Sequence, residues 1–321
     1  MTAEMLHTPI PGTTSGAIPV MVPVGPDHDP RPAIHSSLRA ISEAPPQTLA
    51  LHILVFNGSR QPAVDPGLVI KELSESPAPF AVAVIRGDVG YIRAVREGLS
   101  ISESLGTRQD LVGFLDADAV LRGPAHWSHL ECALAAEPAL DAISGMVIHE
   151  QCSMWETPSS QRFIQTLERV CGVVSKPYIQ GGAGGTLARR PAFERAVDTA
   201  LDLGTLIGPS LSAHALSTGH TVRATSHLPC GHTPRRSLEE WLTSVTAYER
   251  SWRRLLSLYG TDIERPWREF LNSAVKHVVS DPQLARDLAD CQALRQLVVD
   301  RVEHEHVSPT AGSVTSMATS I

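Results

Sequence analysis

Two carboxylates separated by one small residue, Asp116-Ala117-Asp118, close the apolar run Leu111-Val112-Gly113-Phe114-Leu115. Acids this close repel each other unless a cation lies between them. Carboxylate oxygens are hard donors that suit Mg²⁺ or Mn²⁺, and Mg²⁺ usually takes one or two carboxylates together with substrate phosphates. The pair therefore reads as a place where a divalent metal meets a phosphorylated ligand. The plainer reading is an Asp-rich turn at a strand end. A short apolar run bounded by charge is the pattern of a buried strand. In an extended chain, residues two apart point to the same side. Both acids are then expected to leave a strand's C-terminal end together, where open α/β sheets bind ligands.

The elements that would position this pair alternate along the first half of the chain. Ile18–Val24 is a β-type run, and its prolines assign it to an edge or a strand end. A loop with two acids, Asp27 and Asp29, follows. Residues 31–43 have helical spacing, Leu49–Phe56 reads as a strand, and Asn57-Gly58-Ser59 is a turn signal. A helix is expected over 67–75 and a strand over Phe80–Ile85. Gly90, Ala94 and Gly98 then leave one helix face almost bare, at about 1 kcal/mol per interior glycine. Close packing on a sheet and close approach to a ligand explain that face equally well. A further strand is expected at Leu140–Ile148 after a helix containing Leu130 and Leu134. Strands alternating with helices indicate a mainly parallel, doubly wound sheet.

Past residue 150 the pattern loosens. Residues 162–174 have helical spacing. Gln180–Thr186 is a Gly-rich turn without the ending of a phosphate-binding P-loop. Helices are expected near Pro191–Asp202 and through Leu211–Gly219, a strand at Thr221–Thr225, and a turn-rich loop at His227–Pro234. Ser237 with Glu240 forms a capping box, followed by an apolar stripe from Leu238 through Tyr248 and Trp252 to Leu256. Arg265-Pro266 and Asp281-Pro282 open two more helices. Domain expectations follow: a flexible arm over 1–16, an α/β domain over 17–235, a C-terminal helical region over 236–306 and a disordered tail over 307–321.

The chain has 321 residues, 42% apolar and 19% charged, with a net charge of −7. It has no basic block, so nucleic acid is not an expected partner. No apolar run approaches the roughly 18 residues that cross a bilayer, and no signal-peptide pattern opens the chain. Cys132, Cys152, Cys171, Cys230 and Cys291 lack CxxC spacing and read as reduced thiols, so a cytoplasmic location is expected.

The order of these motifs resembles the GT-A glycosyltransferases (nucleotide-diphospho-sugar transferases), closest to the family 2 type, over about residues 18–225. The resemblance implies a GT-A, Rossmann-like α/β fold: a mainly parallel sheet flanked by helices, with a C-terminal helical extension. Pro23-Val24-Gly25, with Asp27 beyond, matches the strand edge that meets the nucleotide base. Phe56-Asn57-Gly58-Ser59 matches an Asp-Asp-Gly-Ser turn with Asn in the second Asp position. Gly90, Ala94 and Gly98 match a helix in which Arg96 stands where the family has Asn. Gly90 and Arg93 would lie near the nucleotide, though an exposed helix face is the simpler explanation of Arg93 and Arg96. Asp116-Ala117-Asp118 matches the DxD motif, which holds Mg²⁺ or Mn²⁺ against the pyrophosphate. Gly184, Gly185 and Arg189 fall in a Gly-rich, Arg-ended segment matching the donor and acceptor region.

The implied function is transfer of a sugar from a UDP-sugar, UDP-N-acetylglucosamine or UDP-glucose as first expectations. The implied acceptor is a soluble small molecule, such as a specialised metabolite. One departure stands out. The family's catalytic Asp would fall at Ile207-Gly208-Pro209, where there is no carboxylate. Retaining GT-A enzymes commonly lack it and add a His as a third metal ligand. His220, His227 and His232 are available, and His232 is preferred because it lies past the last expected core strand. The C-terminal helices would cover the acceptor or form a homodimer surface. Two other classes fit part of the pattern. A nucleotidyltransferase would carry a basic Gly-rich loop where Gly25–Pro30 is acidic. A catalytically silent sugar-nucleotide-binding protein would explain the altered Asn57, Arg96 and Gly208.

Overall fold

A computed structural model describes residues 3–9, 14–42, 50–58, 64–75, 79–85, 87, 89–122, 125–148, 175–179, 181–232, 238–266, 268–269 and scattered helical positions from 282 to 303. The helix expected at 162–174, Ser59, Ser237 and the tail over 307–321 lie outside these residues. The strands are β1 (Glu4–His7), β2 (Ile18–Val24), β3 (Ala50–Asn57), β4 (Phe80–Ile85), β5 (Leu111–Phe114), β6 (Ala119–Leu121), β7 (Leu140–Ile148), β8 (Ser175–Lys176), β9 (Thr186–Arg189) and β10 (Thr221–His232). The helices are α1 (Arg31–Ser42), α2 (Pro66–Leu73), α3 (Tyr91–Ser104), α4 (His126–Ala136), α5 (Arg190–Leu203), α6 (Ile207–Ser217) and α7 (Leu238–Tyr259).

All the strands join one sheet in the order β1-β4-β3-β2-β5-β9-β7-β10-β6, with β8 beside β10. The six strands β2, β3, β4, β5, β7 and β10 run one way, and β1, β6, β8 and β9 run against them. The sheet is thus mostly but not purely parallel, as the alternating pattern indicates. Apolar residues of α1, α2 and α4 pack on one face, among them Ile34, Val69, Trp127 and Leu130. Those of α3, α5 and α6 pack on the other, among them Ala94, Leu99, Phe193 and Leu211. Ala94 and Gly98 on the bare face of α3 serve this packing, whereas Gly90 precedes the helix and has nothing within 4 Å of a built Cβ. A Cβ on Gly98 would lie 2.7 Å from Met21 Sδ.

Three local expectations are corrected. Residues 4–7 of the expected arm form β1, antiparallel to β4, with the His7 ring stacked 4.3 Å from Phe80. Main-chain bonding on a sheet edge needs no apolar alternation, so composition did not signal it. β2 is central, bonded to both β3 and β5. Its ladder to β5 covers only Val20 and Met21, between Pro19 and Pro23, so neither proline has to donate in its middle. β10 runs on to His232 through the expected loop, with a register shift between Thr225 and Pro229 that absorbs the proline.

The C-terminal helix α7 spends part of its apolar stripe inside the chain. Leu255 is buried with Ala213 and Ile263. Ser251 Oγ accepts the Leu206 N–H at 3.0 Å, and Arg254 donates to the carbonyls of Leu203 and Gly204.

Two histidines in the core set a pH limit. His52, bonded to Ser37 Oγ at 2.7 Å, and His126, bonded to the Gly185 carbonyl at 2.8 Å, are both 0% exposed. Burial lowers each pKa to about 4. In the unfolded chain both return to about 6.5. Between these values the unfolded state binds protons that the folded state excludes, so stability is full above about pH 6.5 and falls as pH drops toward 4. The slope is about 1.4 kcal/mol per pH unit for each histidine. Urea unfolding at pH 7 and pH 5 should therefore differ by about 4 kcal/mol for the pair. Equal midpoints at the two pH values would contradict this assignment.

Candidate active site

The C-terminal ends of β2, β3, β5 and β10 share one edge of the sheet, and most of the candidate residues are there. The Asp116/Asp118 pair is not carried on a strand as expected. β5 stops at Phe114, and Asp116–Ala119 form a turn in which the Ala119 N–H bonds the Asp116 carbonyl at 3.0 Å. The acids occupy the first and third turn positions, and Asp is favoured at the first. Both are half-buried, with Ala117 buried between them.

The Gly-rich segment braces this turn. The Asp116 N–H donates to the Gly182 carbonyl at 3.1 Å. A Cβ on Gly182 would lie 2.3 Å from Asp116 Oδ1 and 2.7 Å from its amide nitrogen, so only glycine lets the two segments touch. Gly184 and Gly185 have a packing reason too. Side chains there would meet the Gly145 carbonyl oxygen at 2.4 Å and Leu121 Cδ2 at 2.5 Å.

Tyr91 at the start of α3 donates its hydroxyl to Asp116 Oδ1 at 2.6 Å. Its pKa is raised well above the ordinary phenol value, by burial first, then by Asp116, with Asp118 adding to it. The buried Cys230 thiol is pushed up to about 12 by burial first and then by Asp116, with Asp118 also contributing. Both carboxylates thus act on the same two side chains, from α3 and β10, and concentrate negative charge in one corner. Two hard oxygen donors on one turn fit a divalent cation. Among the described residues no three His, Cys, Asp or Glu side chains cluster for metal binding. The backbone of His232 is paired with Ala119, the residue directly after Asp118.

Pro23 and Val24 end β2, and Gly25 opens a turn filled by His28, whose Nδ1 lies 2.8 Å from where a Cβ would be. Asp27 on that turn is exposed, whereas Asp29 is held by Arg31 at 2.7 Å. Asn57 ends β3, and its Oδ1 accepts the Val89 N–H at 3.0 Å. That bond ties the end of β3 to the strip that leads into α3. Gly58 follows Asn57, and Gly90, with φ +79°, caps α3.

Other candidates lie elsewhere. Arg189 pairs with Leu111 at the start of β5, five residues and roughly 16 Å of extended chain from Asp116. Its guanidinium donates to the carbonyls of Leu134, Glu137 and Leu140, so it caps the end of α4. Arg93 lines a cleft of about 290 Å³ with Ile85, Val89, Arg96, Glu97 and Leu201, none of them in the Asp116 turn. Arg96 pairs with Asp198 at 2.9 Å. His220 is bonded to Asp141 at 2.8 Å beside the opening residues of β10 and β7, at the far edge of the sheet. His227 is exposed at the register shift in β10.

Gly208 sits beside Gly181, whose Cβ would lie 3.5 Å from the Gly208 nitrogen. The start of α6, where the family resemblance puts a catalytic Asp, therefore does adjoin the Gly-rich segment. Sequence reasoning missed Tyr91 and Gly182. A signal existed for Tyr91, a tyrosine directly after the Gly90 that opens the small-residue helix. Gly182 stood among four glycines with nothing to single it out.

No protein-family model matches the chain, and no curated protein does. Solved structures do. A mannosyltransferase, PcManGT from Pyrobaculum calidifontis in complex with GDP-Man and Mn²⁺, aligns with a TM-score of 0.56 at 15% identity, covering 94% of this chain and 91% of that one. GalNAc-T7 with UDP, GalNAc and Mn²⁺ aligns with a TM-score of 0.51 at 14% identity, covering 82% of this chain and 58% of that one. At these identities the likeness concerns the fold. The chain has the GT-A fold of these glycosyltransferases, as its motif order implies. Among the described residues no helix is long and apolar enough to cross a membrane.

Proposed function

We propose that the chain is a metal-dependent glycosyltransferase that moves a sugar from a nucleoside-diphosphate sugar, by family resemblance a UDP-sugar, to a small-molecule acceptor. The observation that carries this reading is the Asp116–Asp118 turn at the C-terminal end of β5, braced by Gly182 in a GT-A fold. Asp116 and Asp118 would hold Mg²⁺ or Mn²⁺, with His232, by family resemblance, as a third ligand; its backbone pairs with Ala119. A bound divalent ion supplies charge neutralisation for a diphosphate leaving group. The ends of β2 and β3, with Gly25, Asn57 and Gly90, would form the floor under the nucleotide. UDP-N-acetylglucosamine and UDP-glucose are the donors to try first, and specialised metabolites the acceptors.

The reading includes retention of configuration. Ile207-Gly208-Pro209 offers no carboxylate opposite the leaving group. His214, an alternative base, is half-buried near Asp141 and His220, the pair at the far edge of the sheet. Asp202 is exposed in the last turn of α5. With no base on that side among the described residues, the acceptor hydroxyl approaches from the leaving-group face and gives its proton to the departing phosphate. A donor screen with mass detection tests the activity, and the anomeric coupling constant of the isolated product tests the stereochemistry. An α-linked product from an α-linked donor is expected. A β-linked product would refute retention and direct attention to Asp202. Absence of turnover and of Mn²⁺-dependent nucleotide binding would refute the function itself.

A further inference from the structure

We infer that Tyr91 is a positioning residue for the Asp116 carboxylate: a strut from α3 that fixes the metal-facing turn and ties it to the nucleotide floor. The inference rests on the metal reading above and concerns a residue that the matched motifs leave unspecified.

The geometry is that of a braced side chain. Tyr91 is the first residue of α3, directly after the Gly90 cap. Its ring centroid lies 5.9 Å from that of Phe114, and Phe114 in turn meets Phe193 of α5 edge-on at 5.5 Å. The aromatic chain from α5 through β5 holds the phenol in place before any ligand arrives. Its hydroxyl then donates to Asp116 Oδ1 at 2.6 Å, a short charge-assisted bond. On its other side Asp116 is held through its backbone by the Gly182 carbonyl, so main chain and side chain are fixed by different elements.

The strut also reaches the nucleotide floor. Asn57 Oδ1 accepts the Val89 N–H at 3.0 Å, and Val89-Gly90-Tyr91 are consecutive. One short strip therefore runs from the end of β3 through the start of α3 to the Asp116 carboxylate. A hydrogen bond that orients a metal ligand is typically worth about 10–100-fold in metal affinity.

The test uses the full chain, Mn²⁺ as the probe and electron paramagnetic resonance of the unbound ion as the readout. Tyr91→Phe keeps the ring and its packing on Phe114 and removes only the hydroxyl. Its Mn²⁺ affinity is expected to fall about tenfold or more, with thermal unfolding shifted by no more than a few degrees. Asp116→Ala is the companion variant and is expected to lose most Mn²⁺ binding. If Asp116→Ala is impaired while Tyr91→Phe binds Mn²⁺ like the unaltered chain, the strut is overturned and the metal reading stands. If Asp116→Ala binds Mn²⁺ undiminished, the metal reading falls and the strut with it.

Discussion

Asp118→Ala is expected to lower sugar transfer by about 10²–10³-fold, the kinetic equivalent of the several kcal/mol that a metal contributes to a charged leaving group. Stability should change by about 1 kcal/mol or less, since Asp118 is a half-buried turn residue. The field of the Asp116/Asp118 pair already raises the pKa of Tyr91 and of Cys230. Removing one charge relieves that repulsion and leaves the core intact. Turnover measured by product mass, beside a melting curve, checks both halves. Full activity in this variant, or in unaltered protein with EDTA, would remove the metal from the mechanism.

The second large effect comes from a residue with no side chain. Gly182→Ala would put a methyl group 2.3 Å from Asp116 Oδ1 and 2.7 Å from the Asp116 nitrogen. Neither neighbour can yield cheaply. The oxygen is engaged by Tyr91, and the nitrogen belongs to the backbone that bonds the Gly182 carbonyl. The turn must move, and a displacement of about 1 Å in a reacting group can cost on the order of 10²-fold in rate. Overpacking of this kind typically costs about 1–3 kcal/mol of stability as well. Gly219→Ala is the control. It has φ +79° and nothing within 4 Å of a built Cβ, so it carries backbone strain alone, in the turn between α6 and β10. It should lose a comparable part of the stability and none of the activity. Equal activities for the two variants would show that Gly182 does not position Asp116.

Much of the sheet was legible locally. Runs such as Phe80–Ile85 and Leu140–Ile148 are long enough, and bounded sharply enough, that burial as strands is nearly their only option. The helix expected at 67–75 has its start in Asp65, whose carboxylate accepts the Gly67 N–H at 2.8 Å. The acidic pair and the glycine face of α3 were visible for the same reason: residue type and spacing state a local chemical need. The retained motif order carried further and implied the GT-A fold.

Only the tertiary structure decided which segments meet. β1 joins β4 through main-chain bonds that any sequence can make, so its residues give no sign of it. His232 was expected in a loop folding back. It ends β10 instead, and antiparallel pairing with β6 brings its backbone beside the residue after Asp118. Arg189 carried the right charge at the right distance from a glycine turn. Yet β9 runs against β5, so four residues of strand take it to the opposite edge, where the carbonyls at the end of α4 needed a donor. The same sequence reading could place Asp116 and Asp118 together but could not see Tyr91 and Gly182 closing on them, because those contacts span 25 and 66 residues of chain. Local pattern fixes what a residue can do. Strand direction and close approach, which depend on the whole sheet, fix what it does it to.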